Sequence, residues 1–329
     1  MGILENGASL VGNFIPSGLA SVASRLIESI AINSIWEKRR RGRTLVFKRR
    51  NAHGEQLSEL TNLYFRVANI PIRFWSKVDE WRRWEVGCFQ MLNGDRFHAY
   101  SSGKRCVVAE KLPGVGLYDL IERGSLNKRM LQAAATELRR AHEFWTGEFR
   151  GRWSHGDATT QNVLYDARTD RARLIDFEII HDKSLPTATR QADDLLVFLL
   201  DMVGRVPSRN WIPFATTFLK AYGEAKVIRE LRKQLDLPGG LAWIWWGVRT
   251  NFANPAKVKH RLASLSHAIR TLKLDHAAPT LRLRHNLRPS THCQASKPGM
   301  PMPSSRRRAI RERAKALSPG MPSKRPTKT

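Results

Sequence analysis

Two polar stretches in the middle of the chain decide how the sequence is interpreted: SHGDATTQNVLYD, residues 154–166, and RLIDFE, residues 173–178. The first places Asp157 and Asn162 five residues apart, and the second places Asp176 nineteen residues after Asp157. The short runs VLYD and ARLID are typical of strands joined by a polar turn. The polar side chains are therefore predicted to lie in loops at strand ends.

Carboxylates and an amide at this spacing suit the chemistry of phosphoryl transfer. That reaction needs metal ions that bridge the phosphates, a cation that contacts them, and a carboxylate that orients the attacking hydroxyl. Asp157 can face an acceptor hydroxyl, while Asn162 and Asp176 can hold Mg²⁺, a hard cation that prefers oxygen ligands. The alternative is a pair of ordinary polar turns without a chemical role.

The composition predicts a folded chain with a strong positive charge. The chain has 329 residues, 42% of them apolar, which is enough for one large two-lobed domain or two small ones. The formal net charge is +27, and the segment from Arg288 to Thr329 carries eleven Lys or Arg residues and one acid, Glu312. Such a charge favours anionic partners (nucleotides, phosphorylated sugars, acidic lipid surfaces or nucleic acid) without selecting one of them.

Cysteine usage and hydropathy predict the compartment. The three cysteines, Cys88, Cys106 and Cys293, are scattered without metal-ligand spacing, so a disulfide framework is not expected. No signal peptide is visible before the first basic residue, Arg25, and the longest apolar runs, LLVFLL and LAWIWWGV, are too short to span a bilayer. We therefore expect a cytoplasmic protein, soluble or peripheral at the inner membrane surface.

The order of predicted elements favours an α+β fold, with a small antiparallel sheet followed by a mostly helical part. Residues 32–50, INSIWEKRRRGRTLVFKRR, predict a hairpin that turns at Arg41-Gly42-Arg43. Helical spacing extends from Leu57 to Leu92, and a short buried strand, RCVVAEKL, follows. Further helices are expected over residues 19–30, 128–145 and 190–203, and onward to about Leu274.

Four regions are predicted along the chain. Residues 1–18 are expected to be loosely ordered, and residues 19–112 to form the sheet lobe. Residues 113–287 are expected to form the helical lobe that contains the polar loops, with a ligand cleft between the two lobes. Residues 288–329, rich in Pro, Ser and Arg, are expected to be a disordered basic tail.

The two polar stretches also carry a family resemblance. HGDATTQN, residues 155–162, followed by LIDFE, residues 174–178, resembles the catalytic loop and metal motif of the protein-kinase-like superfamily, H-x-D-x-x-x-x-N and D-F-G. The resemblance covers about residues 35–203 and implies the bilobal protein-kinase-like fold. It implies that Asp157 is the catalytic base, that His155 braces the loop, and that Asn162 and Asp176 are metal ligands.

Two departures from the protein-kinase pattern favour a small acceptor. Gly156 and Thr159 stand where protein serine/threonine kinases usually carry Arg and Lys. Only fourteen residues, 179–192, separate LIDFE from Asp193, which leaves no room for a long loop that presents a peptide. In this respect the chain resembles aminoglycoside and choline phosphotransferases and the lipopolysaccharide (Kdo-type) sugar kinases.

Further acids are assigned through the same resemblance. Glu178 replaces the usual glycine, and it is either a ligand for a second Mg²⁺, as in choline and methylthioribose kinase relatives, or a solvated residue at a strand end. Asp194 aligns with the family aspartate that hydrogen-bonds the catalytic loop. Asp193 is then a helix-cap residue, although the two aspartates could exchange roles.

The N-terminal half contains the residues that would bind ATP. TLVFKRR, residues 44–50, resembles the strand with the ATP-contacting lysine, so Lys48 is the candidate. Its partner on the next long helix is predicted to be Glu85 rather than Glu80, because Glu85 directly precedes the apolar seam. The alternative for Lys48 is an ordinary exposed position in a basic cluster.

The remaining nucleotide contacts are predicted around this strand. AEKLPG, residues 109–114, resembles the hinge, where backbone groups of Glu110 and Leu112 would meet the adenine. Because no glycine-rich phosphate loop is visible, phosphate contact is expected from the hairpin backbone or from its arginines.

The sequence therefore predicts a phosphotransferase that uses ATP and Mg²⁺ (or Mn²⁺) and acts on a small or lipid-linked sugar with anionic character. An atypical serine/threonine protein kinase and a nucleotide-binding pseudokinase scaffold remain alternatives. The basic tail is expected to make at most weak electrostatic contact with acidic lipid or nucleic acid. The aromatic run LAWIWWGVRTNF, residues 241–252, could contact sugar or membrane, although core packing is favoured.

Overall fold

The computed structural model describes residues 32–272, which all belong to one compact unit of the chain. The predictions for residues 1–18, for the helix at 19–30, for Cys293 and for the tail at 288–329 lie outside the described residues. The proposed lobe boundary at residue 112 stays a prediction.

The described elements alternate between short strands and helices in the first half and are mainly helical in the second. In chain order the strands are β1 (Asn33–Arg40), β2 (Arg43–Arg50), β3 (Ile72–Phe74), β4 (Ala99–Ser102), β5 (Cys106–Glu110), β6 (Val115–Gly116), β7 (Trp145–Thr146), β8 (Gly151–Arg152), β9 (Val163–Asp166), β10 (Arg171–Leu174) and β11 (Ile179–His181). The helices are α1 (Gly54–Val67), α2 (Val78–Asn93), α3 (Leu117–Glu122), α4 (Lys128–His142), α5 (Thr187–Arg205), α6 (Ser208–Tyr222), α7 (Ala225–Lys233), α8 (Ala242–Arg249) and α9 (Pro255–Thr271), with a 3₁₀ turn at Thr160–Asn162.

The main sheet is antiparallel, with the strand order β1-β2-β5-β4. The predicted hairpin forms β1 and β2, because Arg41 and Gly42 both adopt left-handed backbone angles, φ 49° and 78°, as a two-residue turn between twisted strands requires. Across the hairpin Trp36 stacks on Phe47, with ring centroids 5.4 Å apart. The register sets Lys48 opposite Ile35, well away from the turn.

The two polar stretches, residues 154–166 and 173–178, lie around two smaller sheets. VLYD and RARL pair as β9 and β10, and β6 adds to the β9 edge. Directly after the LIDFE stretch, β11 pairs with β3, which joins the two halves of the described chain. Neither β3 nor β11 was expected from the sequence.

The continuous helical pattern expected from Leu57 to Leu92 is wrong, because the chain leaves the helix between α1 and α2. Asn69 adopts a left-handed φ of 54°, and Pro71 has no N–H to continue a helical ladder. The residues between α1 and α2 include β3, which pairs with β11.

Helices form most of the second half and enclose the large core. Almost every residue of α5 from Arg190 to Val203 is buried, so this helix forms the centre of the second half. Asn127 caps α4, and Asn254 with Pro255 begins α9. The aromatic run becomes α8, in which Trp246 is buried and Trp245 packs on Phe65.

The predicted α+β architecture, an antiparallel N-terminal sheet and a mostly helical remainder, is confirmed. The two cysteines in the described part, Cys88 and Cys106, are free thiols. Of the helices described between residues 32 and 272, none is long and apolar enough to cross a membrane.

Candidate active site

A buried ion-pair cluster joins the sheet to helix α2 and to the LIDFE stretch. Lys48, on β2, is 7% exposed, and its Nζ lies 3.3 Å from Glu85 Oε2. The same ammonium group pairs with Asp176 Oδ1 and lies 3.7 Å from Glu178 Oε2. Glu80, the rejected alternative, pairs instead with Lys77. The structure thus brings Lys48, Glu85 and two of the predicted metal ligands together.

Local geometry explains how the acids reach this cluster. Asp176 adopts a left-handed φ of 65°, and the following backbone N–H, that of Phe177, donates to Glu85 Oε2 at 3.2 Å. Asn33, at the start of β1, donates through Nδ2 to Glu178 Oε2. Glu178 is therefore part of the cluster and not a solvated strand end.

The cluster has one lysine for three carboxylates, and the pKa values reflect this imbalance. Burial opposes the charge of Lys48, but Asp176, Glu85 and Glu178 outweigh it and raise its pKa above the ordinary value. Burial raises the pKa of Glu85 to about 7 and also raises that of Glu178, whereas Lys48 lowers the pKa of Asp176 against the effect of burial. A further cation would relieve the excess negative charge.

The oxygen donors here suit a hard divalent ion by type. Asp176 and Glu178 supply carboxylate oxygens, and because Asn162 donates through Nδ2 to Asp157, its Oδ1 remains as an oxygen ligand. Within residues 32–272, no three His, Cys, Asp or Glu side chains form a ready metal site. Mg²⁺ usually completes its coordination with phosphate oxygens and water, so a set of two carboxylates and an amide fits it.

The HGD loop is held by a buried aspartate on α5. Asp194 accepts the backbone N–H of His155 at 2.7 Å and that of Gly156 at 2.8 Å, and His142 Nε2 donates to it at 2.9 Å. Burial opposes the charge of Asp194, but the surrounding histidines keep its pKa below the ordinary value. Gly156 has a φ of 88°, and a Cβ there would lie 2.8 Å from the Ile179 carbonyl oxygen. The loop therefore requires glycine at this position.

His155 is positioned to brace the loop. Its Nε2 donates to the Ile175 carbonyl at 3.0 Å, while its Nδ1 accepts the Asp157 backbone N–H at 3.3 Å. Burial lowers the pKa of His155, which favours the neutral ring that these two bonds require. Both ring nitrogens are thus occupied, and His155 joins its loop to the LIDFE stretch.

Asp157 lies at the front of the loop, half-buried. Asn162 Nδ2 donates to its carbonyl at 2.8 Å and to its Oδ2 at 3.0 Å. Burial and the nearby Asp176 raise the pKa of Asp157 to about 7, although Arg249 acts in the opposite direction. A carboxylate of this pKa can accept a proton near neutral pH.

Asp193 is not the helix cap that the sequence suggested, because α5 begins at Thr187. Arg249, on α8, donates to both of its oxygens at 3.1 and 3.0 Å, and His181 Nε2 donates at 3.1 Å. His181 Nδ1 in turn accepts the hydroxyl of Ser154 at 3.0 Å. Arg249 and His181 belong to no motif, and their partners are distant in sequence, so sequence reasoning missed them.

The third aspartate of α5, Asp201, was also missed. Asp201 Oδ2 accepts the backbone N–H of Thr160 at 2.9 Å and the hydroxyl of the same residue, while Arg205 Nε donates to Oδ1 at 3.0 Å. This fixes the turn that leads to Asn162. Asp194 and Asp201 are seven residues apart and so lie on the same face of one helix, a spacing from which the sequence could have indicated that both contact the same loop.

The predicted hinge residues lie along the same sheet. Glu110 is paired with Leu45, three residues along β2 from Lys48, a separation of roughly 10 Å. The backbone N–H of Glu110 donates to the His98 carbonyl at 2.9 Å, and Leu112 is buried in the core. Adenine contact through Glu110 and Leu112 stays a prediction.

The turn of the β1–β2 hairpin lies some distance along the strands from Lys48. Ile35, opposite Lys48, is six residues from Arg41, so the turn is roughly 20 Å from the lysine. The start of β1 lies at the cluster instead, through the bond from Asn33 to Glu178. Phosphate contact by the hairpin backbone or its arginines stays a prediction.

Comparisons with known proteins add only weak similarity. No protein-family model and no curated protein matches the chain. Solved structures that resemble it include the Rv3197–erythromycin complex from Mycobacterium tuberculosis, with 17% identity, 76% of each chain covered and a TM-score of 0.33. The bifunctional kinase-methyltransferase WbdD has 20% identity over 63% of this chain and 45% of its own, with a TM-score of 0.34.

A third similar structure is the gentamicin complex of APH(2")-IIa, with 13% identity and a TM-score of 0.34 over 75% of this chain and 95% of its own. Similarity at this level carries no argument about chemistry. The interpretation of the site therefore rests on the geometry of this chain.

Proposed function

We propose that the chain is a phosphotransferase that moves the γ-phosphate of ATP, with Mg²⁺ or Mn²⁺, to a hydroxyl of a small or lipid-linked sugar acceptor. One arrangement carries the proposal: Lys48 lies between Glu85 and Asp176, beside a loop that presents Asp157 and Asn162. This is the set of groups that phosphoryl transfer requires, in one place.

Each residue has a role that follows from its position. Lys48, held protonated by its three acidic neighbours, would contact the phosphates of ATP. Asp157 would orient the acceptor hydroxyl and take its proton as the oxygen bonds to phosphorus, after which ADP leaves. Asn162, Asp176 and Glu178 would hold the divalent ion, which when bound neutralises charge on the phosphates. Asp194 and His155 would keep the loop in place.

The preference for a small acceptor is supported by the segment after the site. Between β11 and α5 the chain has only the five residues Asp182–Pro186, too few to present an extended peptide. The net charge of +27 favours an anionic acceptor, such as a phosphorylated or lipid-linked sugar. We also propose a cytoplasmic location, from the scattered cysteines, with electrostatic contact at the inner membrane surface.

A direct test uses purified protein with ATP and Mg²⁺, measuring ADP release and phosphate transfer. Asp157→Asn should reduce the rate by about 10²- to 10⁴-fold, because it removes the proton acceptor. Asp79→Asn, an exposed aspartate on α2, is the matched control and should keep full activity. If wild type and Asp157→Asn are equally inactive while calorimetry shows ATP binding to both, the chain is a nucleotide-binding scaffold.

The acceptor requires a separate experiment. Cell-envelope and metabolite extracts would be incubated with labelled ATP and the protein, and phosphorylated products would be identified by mass spectrometry. Label on glycans or lipid-linked sugars that disappears with Asp157→Asn supports the sugar acceptor. Label on proteins alone would contradict it and favour the atypical protein kinase.

A further inference from the structure

A cavity of about 530 Å³ is lined by one side of α2 and by none of the residues of the Lys48 cluster. Its walls come from β3, the first half of α2, the turn between β7 and β8, and the connection after β11. A helix turns 100° per residue, so Trp84, in the wall, is displaced by that angle from Glu85, which faces Lys48. The cavity is therefore separate from the proposed phosphotransfer site, and its volume is that of a small-molecule site.

Cations from three elements converge on this cavity. Arg73 comes from β3, Arg83 from α2 and Lys183 from the segment after β11. The two acids in the wall already have partners, since Glu148 pairs with Arg73 at 3.5 Å and Glu80 with Lys77 at 3.6 Å. Within the described part of the chain, Arg83 and Lys183 make no ion pair, and with three cations and two acids the wall carries a net charge of +1.

The same wall contains polar groups without partners. Nε1 of Trp75, Nε1 of Trp84 and Oγ1 of Thr146 are buried and make no hydrogen bond within residues 32–272. The two indole groups are donors only, and a buried donor without an acceptor costs about 1–3 kcal/mol. All three atoms belong to residues that line the cavity. An acceptor oxygen on a ligand would give these donors a partner.

We propose that this cavity binds a small molecule that bears an oxyanion, a phosphate or carboxylate on a sugar-sized body. Arg83 and Lys183 supply the charge, and the indole N–H groups with Thr146 supply hydrogen bonds to the remaining oxygens. The site does not depend on the proposed reaction. Its ligand would contact α2, the β7–β8 turn and the segment after β11 together.

The test is calorimetric titration of the full chain, at 0.15 M NaCl, with glucose 6-phosphate, glucuronate, inorganic phosphate and glucose. Saturable binding of at least one of the three anions, and none of neutral glucose, is expected. Arg83→Gln combined with Lys183→Gln should weaken it by at least about tenfold. Arg66→Gln combined with Lys104→Gln removes the same charge from exposed positions outside the cavity and should change it little.

Two further measurements keep the result decisive. Hydrogen exchange of the wild type should show protection by the bound anion at residues 73–84 and 145–148, which requires no variant. Asp176→Ala should keep the anion binding even where ATP binding is lost, which separates this site from the proposed reaction. The proposal is wrong if none of the three anions binds saturably. It is also wrong if the two paired variants lose binding equally.

Discussion

At the residue level, Lys48 is the side chain on which the candidate site depends most. It is the central cation among three carboxylates, of which that of Glu85 is buried and those of Asp176 and Glu178 are half-buried. Lys48→Ala should lower the free energy of unfolding by about 3–5 kcal/mol, because it leaves buried charges uncompensated. The double variant Lys48→Ala/Glu85→Gln should recover part of this loss. Urea unfolding of the four proteins of this cycle measures the coupling, and strictly additive losses would contradict the buried cluster.

Gly156 gives a second prediction at this level, with an internal control. Its left-handed φ and the 2.8 Å approach of a Cβ to the Ile179 carbonyl predict that Gly156→Ala costs about 1–3 kcal/mol and reduces transfer activity. Gly124 has a φ of 65° but nothing within 4 Å of such a Cβ. Gly124→Ala should therefore lower the free energy of unfolding only through backbone strain, by about 1 kcal/mol. Urea unfolding compares the two variants. Equal losses of stability and activity would show that the contact with Ile179 is unimportant.

At the level of elements, an ion pair between Asp193 and Arg249 joins α5 to α8, and its contribution to the stability of the fold depends on pH. Burial raises the pKa of Asp193, but Arg249 and His181 lower it far more, so the folded pKa lies below that of the unfolded chain. Such a carboxyl stabilises the folded chain fully at a pH above its pKa in the unfolded chain, about 3.9. This stabilisation is lost as the pH falls through its pKa in the folded chain. Asp193→Asn should therefore cost about 3 kcal/mol at pH 7.

The difference between wild type and Asp193→Asn should be constant from pH 7 to pH 5 and should shrink below about pH 4. Urea unfolding across this range measures it. Asp182→Asn, an exposed site in the segment after β11, is the control and should show a much smaller difference at pH 7. A wild-type advantage that grew as the pH fell would have the wrong sign for this ion pair.

What the sequence could predict at this level was local. The β1–β2 hairpin, the β9–β10 pair and the polar loops follow from turn residues and motif spacing within short windows. The pairing of β3 with β11 joins residues more than a hundred positions apart, and the bond from Arg249 to Asp193 spans 56. Such contacts depend on how elements pack and leave no periodic signal. For the same reason Arg249, His181 and Asp201 were missed, whereas Lys48 and Glu85 were found through a resemblance that covers both.

At the level of the whole molecule, the formal charge of +27 predicts electrostatic binding to acidic surfaces. The full chain should bind phosphatidylglycerol vesicles in 50 mM NaCl and should not bind phosphatidylcholine vesicles. Removing residues 288–329 removes eleven basic residues and one acid, so binding should weaken without disappearing, because positive charge remains on the rest of the chain. Vesicle sedimentation measures both proteins. Both should dissociate at 0.5 M NaCl, where the screening length is only about 4 Å; binding that persists there would require apolar insertion and would contradict a purely electrostatic contact.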